Sequence, residues 1–334
     1  MGTRLTGVDE GIHPVGTASN WNESRYVDVW DRTQRVGAWL RIGMRPNEGR
    51  SEMSVCAYLP DGRVAFLFDR PPIDGNGLAV GGQDWQVESA FRRNRVRYDG
   101  ELLLLDNSWL LTDPGRAYRE SARVHGSFDL LSTSLGLPAV MGRDQSHIDR
   151  IFLPGQADFH YQHLVHSIGR ISLDGQAWVV DGFGGRDHSW GPRNWHAKIY
   201  LRWLICAIDD RNGFMLVRAV GPTKTTRSGH VVVDGEFRLV DDFEMRNSYA
   251  DPPHHELRCV EVDIRAGDLR WSAVGRPQAW LPLRHRQPGA DGAEAILRIV
   301  KSPTDWMLAD GRTGAGHCEY HDLMESGRPV GLTD

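Results

Sequence analysis

The chain has 334 residues, 40% hydrophobic and 25% charged, with a formal net charge of −5. That length exceeds one ordinary core and predicts about two domains, and the composition is that of a globular chain rather than a disordered one. Its mild acidity, with arginines scattered among Asp and Glu, argues against a nucleic-acid surface, which needs a basic stripe.

Four cysteines, Cys56, Cys206, Cys259 and Cys318, form no Cys-x-x-Cys pair, so neither a zinc knuckle nor a redox motif is visible. They read as free thiols in a reducing compartment. The first six residues carry no apolar signal-peptide core, and no apolar run approaches the roughly 20 residues that span a bilayer. The expectation is a cytoplasmic protein without a membrane span; peripheral lipid contact and oligomeric state are left open.

In chain order, short apolar or alternating runs are cut by Asp-Gly and Asn-Gly turns. Residues 54–59 and 63–68 flank Asp61-Gly62 and predict a β-hairpin. A helix is a candidate over Leu130–Val140, though Gly136 and Pro138 oppose it, and another near Asp144. The polar, Gly-rich segment Met141–Gln156 reads as a linker or long loop. Further hairpins are predicted at 164–173 with 176–180, at 203–208 with 214–220, and at 231–233 with 236–240. Strands are expected at 258–264, 269–274 and 295–300. Repeated hairpins without βαβ alternation predict an all-β chain of sandwich or barrel type and exclude a nucleotide-binding doubly wound fold. The boundary is placed near residue 185, giving units 1–185 and 186–334. Of the 12 tryptophans, most are expected to pack sheets and several to line a cavity.

The densest cluster of reactive side chains is Gly182–Trp195, containing Arg186, Asp187, His188, Ser189, Trp190, Gly191, Arg193 and Trp195. Asp187 and His188 supply acid/base capability near neutral pH. Arg186 and Arg193 can hold a carboxylate or another anion. Trp190 and Trp195 can wall an apolar site or shelter a cation. The plainer alternative is an Arg–Asp ion-pair lock at a domain junction.

Elsewhere, His160, His163 and His166 recur at a spacing of three. On a strand, His160 and His166 share one face and His163 takes the other, which disfavours a metal triad. His160 and Gln162 are candidates for a cavity wall. His317 and His321 lie about 13 Å apart on a strand, too far for one ion; Glu319 between them is a candidate carboxylate facing a cavity. Glu23 is a further candidate acid/base, and His254-His255 reads as a solvated loop. No Gly-x-Ser-x-Gly elbow and no phosphate-cradling loop is present.

The stretch Arg186-Asp187-His188-Ser189-Trp190-Gly191 resembles the motif of the carotenoid 1,2-hydratase-like (hydroxyneurosporene synthase-like) superfamily. The segment Trp21–Ser24 with Trp30-Asp31, and the ending Gly311–Tyr320, are similar to the uncharacterised bacterial branch of that group. The resemblance implies two tandem lipocalin-like β-domains with a cavity at or near their interface. It also implies cofactor-independent acid/base chemistry on a hydrophobic terpenoid, steroid or polyketide-like molecule: hydration, dehydration, cyclisation or double-bond isomerisation. The expected catalytic residues are Asp187, His188, Glu319 and Glu23. The expected substrate contacts are Arg186, Trp190, Arg193, Trp195, His160, Gln162 and Tyr320, with no metal ligands. The competing expectations are a lipocalin-like carrier without chemistry and a metal-dependent hydrolase or aldolase.

Overall fold

The computed structural model describes residues 5–73, 78–136, 139–141, 153, 159–195, 198–288 and 294–333. Asp-Gly turns fix the hairpins. Asp174 and Gly175 have φ of 47° and 83°, and Asp234 and Gly235 have 53° and 83°. This is the double left-handed geometry of a turn whose twist matches the strands it joins. The hairpins then build two large antiparallel sheets.

The first sheet runs Val64–Asp69, Arg50–Tyr58, Val36–Arg45, Trp21–Asp31, Gln176–Pro192, Phe159–Leu173, Ala122–Ser134 and Arg93–Leu105. Strand Arg93–Leu105 also pairs back to strand Val64–Asp69, Val64 opposite Leu105 and Phe66 opposite Leu103, closing an eight-strand ring, and the sheet continues beyond it through Gln83–Ser89. The inside of that ring is filled by residues such as Val27, Leu40, Val55, Val96, Phe128 and Val165. The second sheet runs Glu236–Leu239, Thr225–Val233, Asn212–Val220, Tyr200–Asp209, Thr313–Glu325, Glu294–Leu308, Leu269–Pro277, Leu257–Ala266 and Asp242–Tyr249. It curls over its own core of Leu204, Phe214, Val260, Trp271 and Trp306. The protein is thus all-β with two lipocalin-like units; strand Gln176–Pro192 of the first sheet runs unbroken through the motif, and strand Tyr200–Asp209 belongs to the second.

A third core joins the sheets: Tyr26, Trp30 and Trp39 meet Trp203, Ile205 and Met215. Tyr58 donates its hydroxyl to the Lys301 carbonyl at 3.1 Å, and Trp30 donates Nε1–H to Asp305 at 2.7 Å. Strand Trp21–Asp31 is therefore covered on both faces, and all eleven of its residues are buried.

Two local expectations need correction. Leu130–Ser134 belongs to strand Ala122–Ser134, where alternate residues Phe128 and Leu130 point into the ring, so tertiary burial and not helical periodicity set the state. His254 and His255 do lie in a turn, but not a freely solvated one: half-buried His254 stacks on Trp109 at 4.3 Å, and His255 is buried. The helix expected near Asp144 and most of the 141–156 segment lie outside the described residues. Among the described residues no helix is long and apolar enough to cross a membrane.

The glycine pair of the motif has two separate steric reasons. A Cβ on Gly184 would run into the carboxylate and carbonyl oxygens of Asp28 on the paired strand. One on Gly185 would sit 2.6 Å from Ile205 Cδ1 in the second sheet. Backbone neighbours cannot yield as a side-chain tip can, so Gly184→Ala should cost about 1–3 kcal/mol in urea denaturation, more than Gly185→Ala. Equal, negligible effects would contradict this packing.

Candidate functional site

Strand alternation divides the motif. On Gln176–Pro192, Asp187 pairs with Tyr26, and His188 with Arg25, of the adjacent strand. Since neighbours across a ladder share a face, Asp187 looks with Tyr26 toward the second sheet, and His188 looks with Arg25 toward the end of the ring. Arg186, His188 and Trp190 are on one side; Gly185, Asp187 and Ser189 are on the other.

The His188 side is a buried polar network. Arg186 Nη2 donates to both oxygens of Glu10 at 2.8 and 2.6 Å, and Glu10 also accepts Phe91 N–H at 2.8 Å. Arg25 donates to the carbonyls of Glu10 and Gly11 at 2.5 and 2.7 Å. Tyr161 lies 3.0 Å from His188 Nδ1, and His188 Nε2 lies 2.9 Å from Glu23 Oε1. His13 reaches the same oxygen at 2.9 Å, and its backbone N–H reaches the other. The consistent tautomer has Tyr161 donating to Nδ1 and Nε2–H donating to Glu23. Burial and the Arg25 charge push His188 down to about 3, so the ring is neutral. Burial pushes the Glu23 carboxyl up, but hydrogen bonds from His13 and His188 outweigh it and hold it at about 2. Trp190 stacks on His13 at 3.6 Å and on Phe159 at 4.5 Å. Segment Gly7–His13, carrying the short 3-10 helix Gly7–Glu10, is thereby pinned across the end of the ring. Atoms of His13, Glu23 and His188 that suit a metal lie within 4.8 Å of one another, but each close pair here has hydrogen-bond length and a donor for the shared oxygen.

The other side opens into a cavity of about 800 Å³ between the sheets. Tyr26, Trp39, Phe66, Trp195 and Trp203 wall it, so several tryptophans do line a cavity. Asp187 and Glu319 reach it from opposite sheets, each beside a histidine. Asp187 Oδ2 is 3.2 Å from His160 Nε2, and Glu319 Oε1 is 2.5 Å from His321 Nε2. Glu319 also pairs with Lys301, whose ammonium sits 4.1 Å from the Tyr26 ring and 4.8 Å from that of Trp39. Burial raises the Glu319 carboxyl, but the Lys301 charge and the His321 bond outweigh it and keep it well below the usual range. Burial, with the Lys198 charge, lowers His321 to about 3. Beneath the floor, burial lifts Asp28 to about 7, against the Gly185 N–H it accepts at 3.0 Å and the Lys301 charge.

Of the residues expected at the site, Asp187, Glu319, Arg193, Trp195, His160 and Gln162 line the cavity. Arg186, His188, Trp190 and Glu23 form the network at the ring end instead, because they have the opposite strand parity. Tyr320, adjacent to Glu319, points into the second sheet's core and donates to Asn247 at 2.5 Å. Arg186 pairs with Glu10, not with Asp187. The three histidines at spacing three also separate: His163 is buried beside Phe91, while His166 bridges Asp181 and Asp210 at 2.6 and 2.7 Å.

The sequence matches, over residues 6–324, a family described as a domain of unknown function, DUF7064. The chain belongs to the DUF7064 family. No curated protein matches it by sequence. Solved structures share its fold. CghA crystallised with Sch210972 is 13% identical, with a TM-score of 0.56 over 93% of this chain and 90% of that one. A putative AttH from Nitrosomonas europaea is 13% identical, with a TM-score of 0.53 over 93% and 94%. Kievitone hydratase from Nectria haematococca is 9% identical, with a TM-score of 0.52 over 94% of each chain. At such identities these structures establish the architecture of this DUF7064 chain.

Sequence reasoning missed Lys198, Lys301 and Arg41, which also line the cavity of this family member. A signal was present. Of 39 basic residues only Lys198, Lys224 and Lys301 are lysines, the remainder being arginine. Two of those three face the cavity, and an ammonium, unlike a guanidinium, has a pKa that surroundings can tune.

Proposed function

We propose that this protein is a cofactor-independent acid/base enzyme of the lyase or isomerase type, acting on a largely hydrophobic small molecule between its two sheets. One observation carries the reading: two carboxylate–histidine pairs, Asp187–His160 and Glu319–His321, face one aromatic-walled cavity from opposite sheets. A carrier needs the aromatic walls but not two such pairs. The kievitone hydratase fold and the CghA–Sch210972 complex support chemistry on small molecules in this architecture. The resemblance of the Arg186–Gly191 motif to the carotenoid 1,2-hydratase-like superfamily adds to it and extends the proposal to a terpenoid, steroid or polyketide-like substrate.

In the dehydration direction, Glu319, ionised, takes a proton from carbon, and the C–H electron pair becomes the new double bond. The Asp187–His160 pair delivers a proton to the leaving hydroxyl, which departs as water. Hydration is the reverse, and isomerisation returns the proton to another carbon. Tyr26 and Trp39, already holding the Lys301 ammonium, provide faces that stabilise developing positive charge.

The test is incubation of the purified protein with metabolite extracts and mass-spectrometric search for a consumed compound. Asp187→Asn and Glu319→Gln should each lower its turnover about a hundredfold or more, the usual share of a positioned acid or base. Wild-type rates in both variants would reject these roles.

A further inference from the structure

Among the described residues, the basic side chains lining the cavity outnumber its carboxylates, and three of them are gathered on one ring. Arg41, Arg193 and Lys198 lie over Trp195 with their charged centres 5.3, 5.3 and 5.2 Å from its centroid. All three line the cavity. Among the described residues no carboxylate lies within ion-pair distance of Lys198, which is buried. The nearest carboxylate to Arg41 is Glu52 at 3.7 Å, and Glu52 is already held by Arg50 at 2.6 Å; Arg41 Nη2 is buried with no hydrogen-bond partner. Of the acids close enough to be felt, Glu319 is taken by Lys301 and His321, and Asp187 faces His160.

Crowding a buried ammonium and the partnerless Arg41 Nη2 onto one ring beside a further guanidinium is costly unless a negative group joins them. The crowding is visible in their acidities: burial and Arg193 press Lys198 down to about 7, and burial and Arg41 press Arg193 down to about 10. Indole attraction offsets only part of the cost.

We propose that the substrate is an amphipathic acid, whose carboxylate or similarly acidic group is bound by Arg41, Arg193 and Lys198 around Trp195 while its apolar body lies against Tyr26, Trp39, Phe66 and Trp203. This rests on the reading of the cavity as a hydrophobic small-molecule site and adds which end of the molecule is charged. Arginine forks suit a planar carboxylate, and anchoring that end fixes which carbons face Glu319 and Asp187.

Two fluorescent probes with one aromatic skeleton separate the claims: 1-anilinonaphthalene-8-sulfonate, an anion, and N-phenyl-1-naphthylamine, its neutral counterpart. Titrated into the full chain, the anion should bind about tenfold tighter than the neutral probe or better. Lys198→Met and Arg41→Gln should each remove most of that preference and leave the neutral probe's affinity unchanged, with circular dichroism confirming that the variants fold. Arg41→Gln serves alone if Lys198→Met does not fold. Equal binding of both probes, or an anion preference untouched in the folded variants, would overturn the anion site and leave the hydrophobic cavity standing. Binding of neither probe would overturn both readings.

Discussion

Lowering the pH from 6.5 to 5 should strip this protein of most of its stability. Five histidines, His163, His188, His230, His317 and His321, are buried. Burial holds each of them neutral: it pushes His188 and His321 down to about 3 and His230 down to about 4, and pushes His163 and His317 well below the ordinary value. Neighbouring cations add to burial in four of the five, Arg25 for His188 and Lys301 for His317 among them. An unfolded histidine protonates near 6.5, so below that pH the unfolded chain takes up protons that the folded chain refuses. The stability these groups contribute is complete above 6.5 and is lost as pH falls toward their folded values. Asp28 works the other way. Its carboxyl, raised to about 7, is already protonated in the fold while its unfolded counterpart is not. Five protons against one leave about four. At about 1.4 kcal/mol per proton per pH unit, that is a slope of about 5 kcal/mol per pH unit once the histidines of the unfolded chain are charged. With total stabilities of about 5–15 kcal/mol, unfolding should fall near pH 5. Urea midpoints followed by tryptophan fluorescence at stepped pH read this directly. A flat profile from 6.5 to 5 would mean that the histidines are not held neutral.

Glu10→Gln should be the most damaging single change away from the cavity. Glu10 neutralises Arg186 through two hydrogen bonds and lies 3.9 Å from Arg25, and all three are almost fully buried. Removing its charge leaves two buried guanidiniums without the carboxylate they share. The cost of stranding a buried charge is about 3–5 kcal/mol. Adding Arg186→Met to Glu10→Gln should recover part of the loss, because the stranded charge disappears. A loss below about 1 kcal/mol for Glu10→Gln would show that the network is solvated and does not pin Gly7–His13 to the ring.

The hairpins were legible because Asp-Gly turns declare themselves locally, and residues near 174 and 234 needed nothing from the rest of the chain. The motif was legible as a place but not as two places. Strand alternation alone puts Asp187 and His188 on opposite faces. Which face meets a cavity depends on pairing such as Phe66 with Leu103, which closes the ring, and on the second sheet that covers the outside. Local sequence carries neither fact. Arg186 finds Glu10 across 176 positions, and Lys301 finds Glu319 from a neighbouring strand, so these partners were out of reach of any motif. The Leu130–Val140 helix reading failed for a related reason: Leu130 is spent on the ring's interior, and strand pairing with Gly169 decides its conformation.

We assign the chemistry to the cavity carboxylates and a structural role to the motif histidine. The most direct measurement compares turnover of the consumed metabolite by Asp187→Asn, Glu319→Gln and His188→Gln, each at a temperature where circular dichroism shows it folded. The expected result is loss of turnover in the two cavity variants and near wild-type turnover, with a lowered melting temperature, in His188→Gln. Loss of turnover in folded His188→Gln, with both cavity variants fully active, would contradict the account.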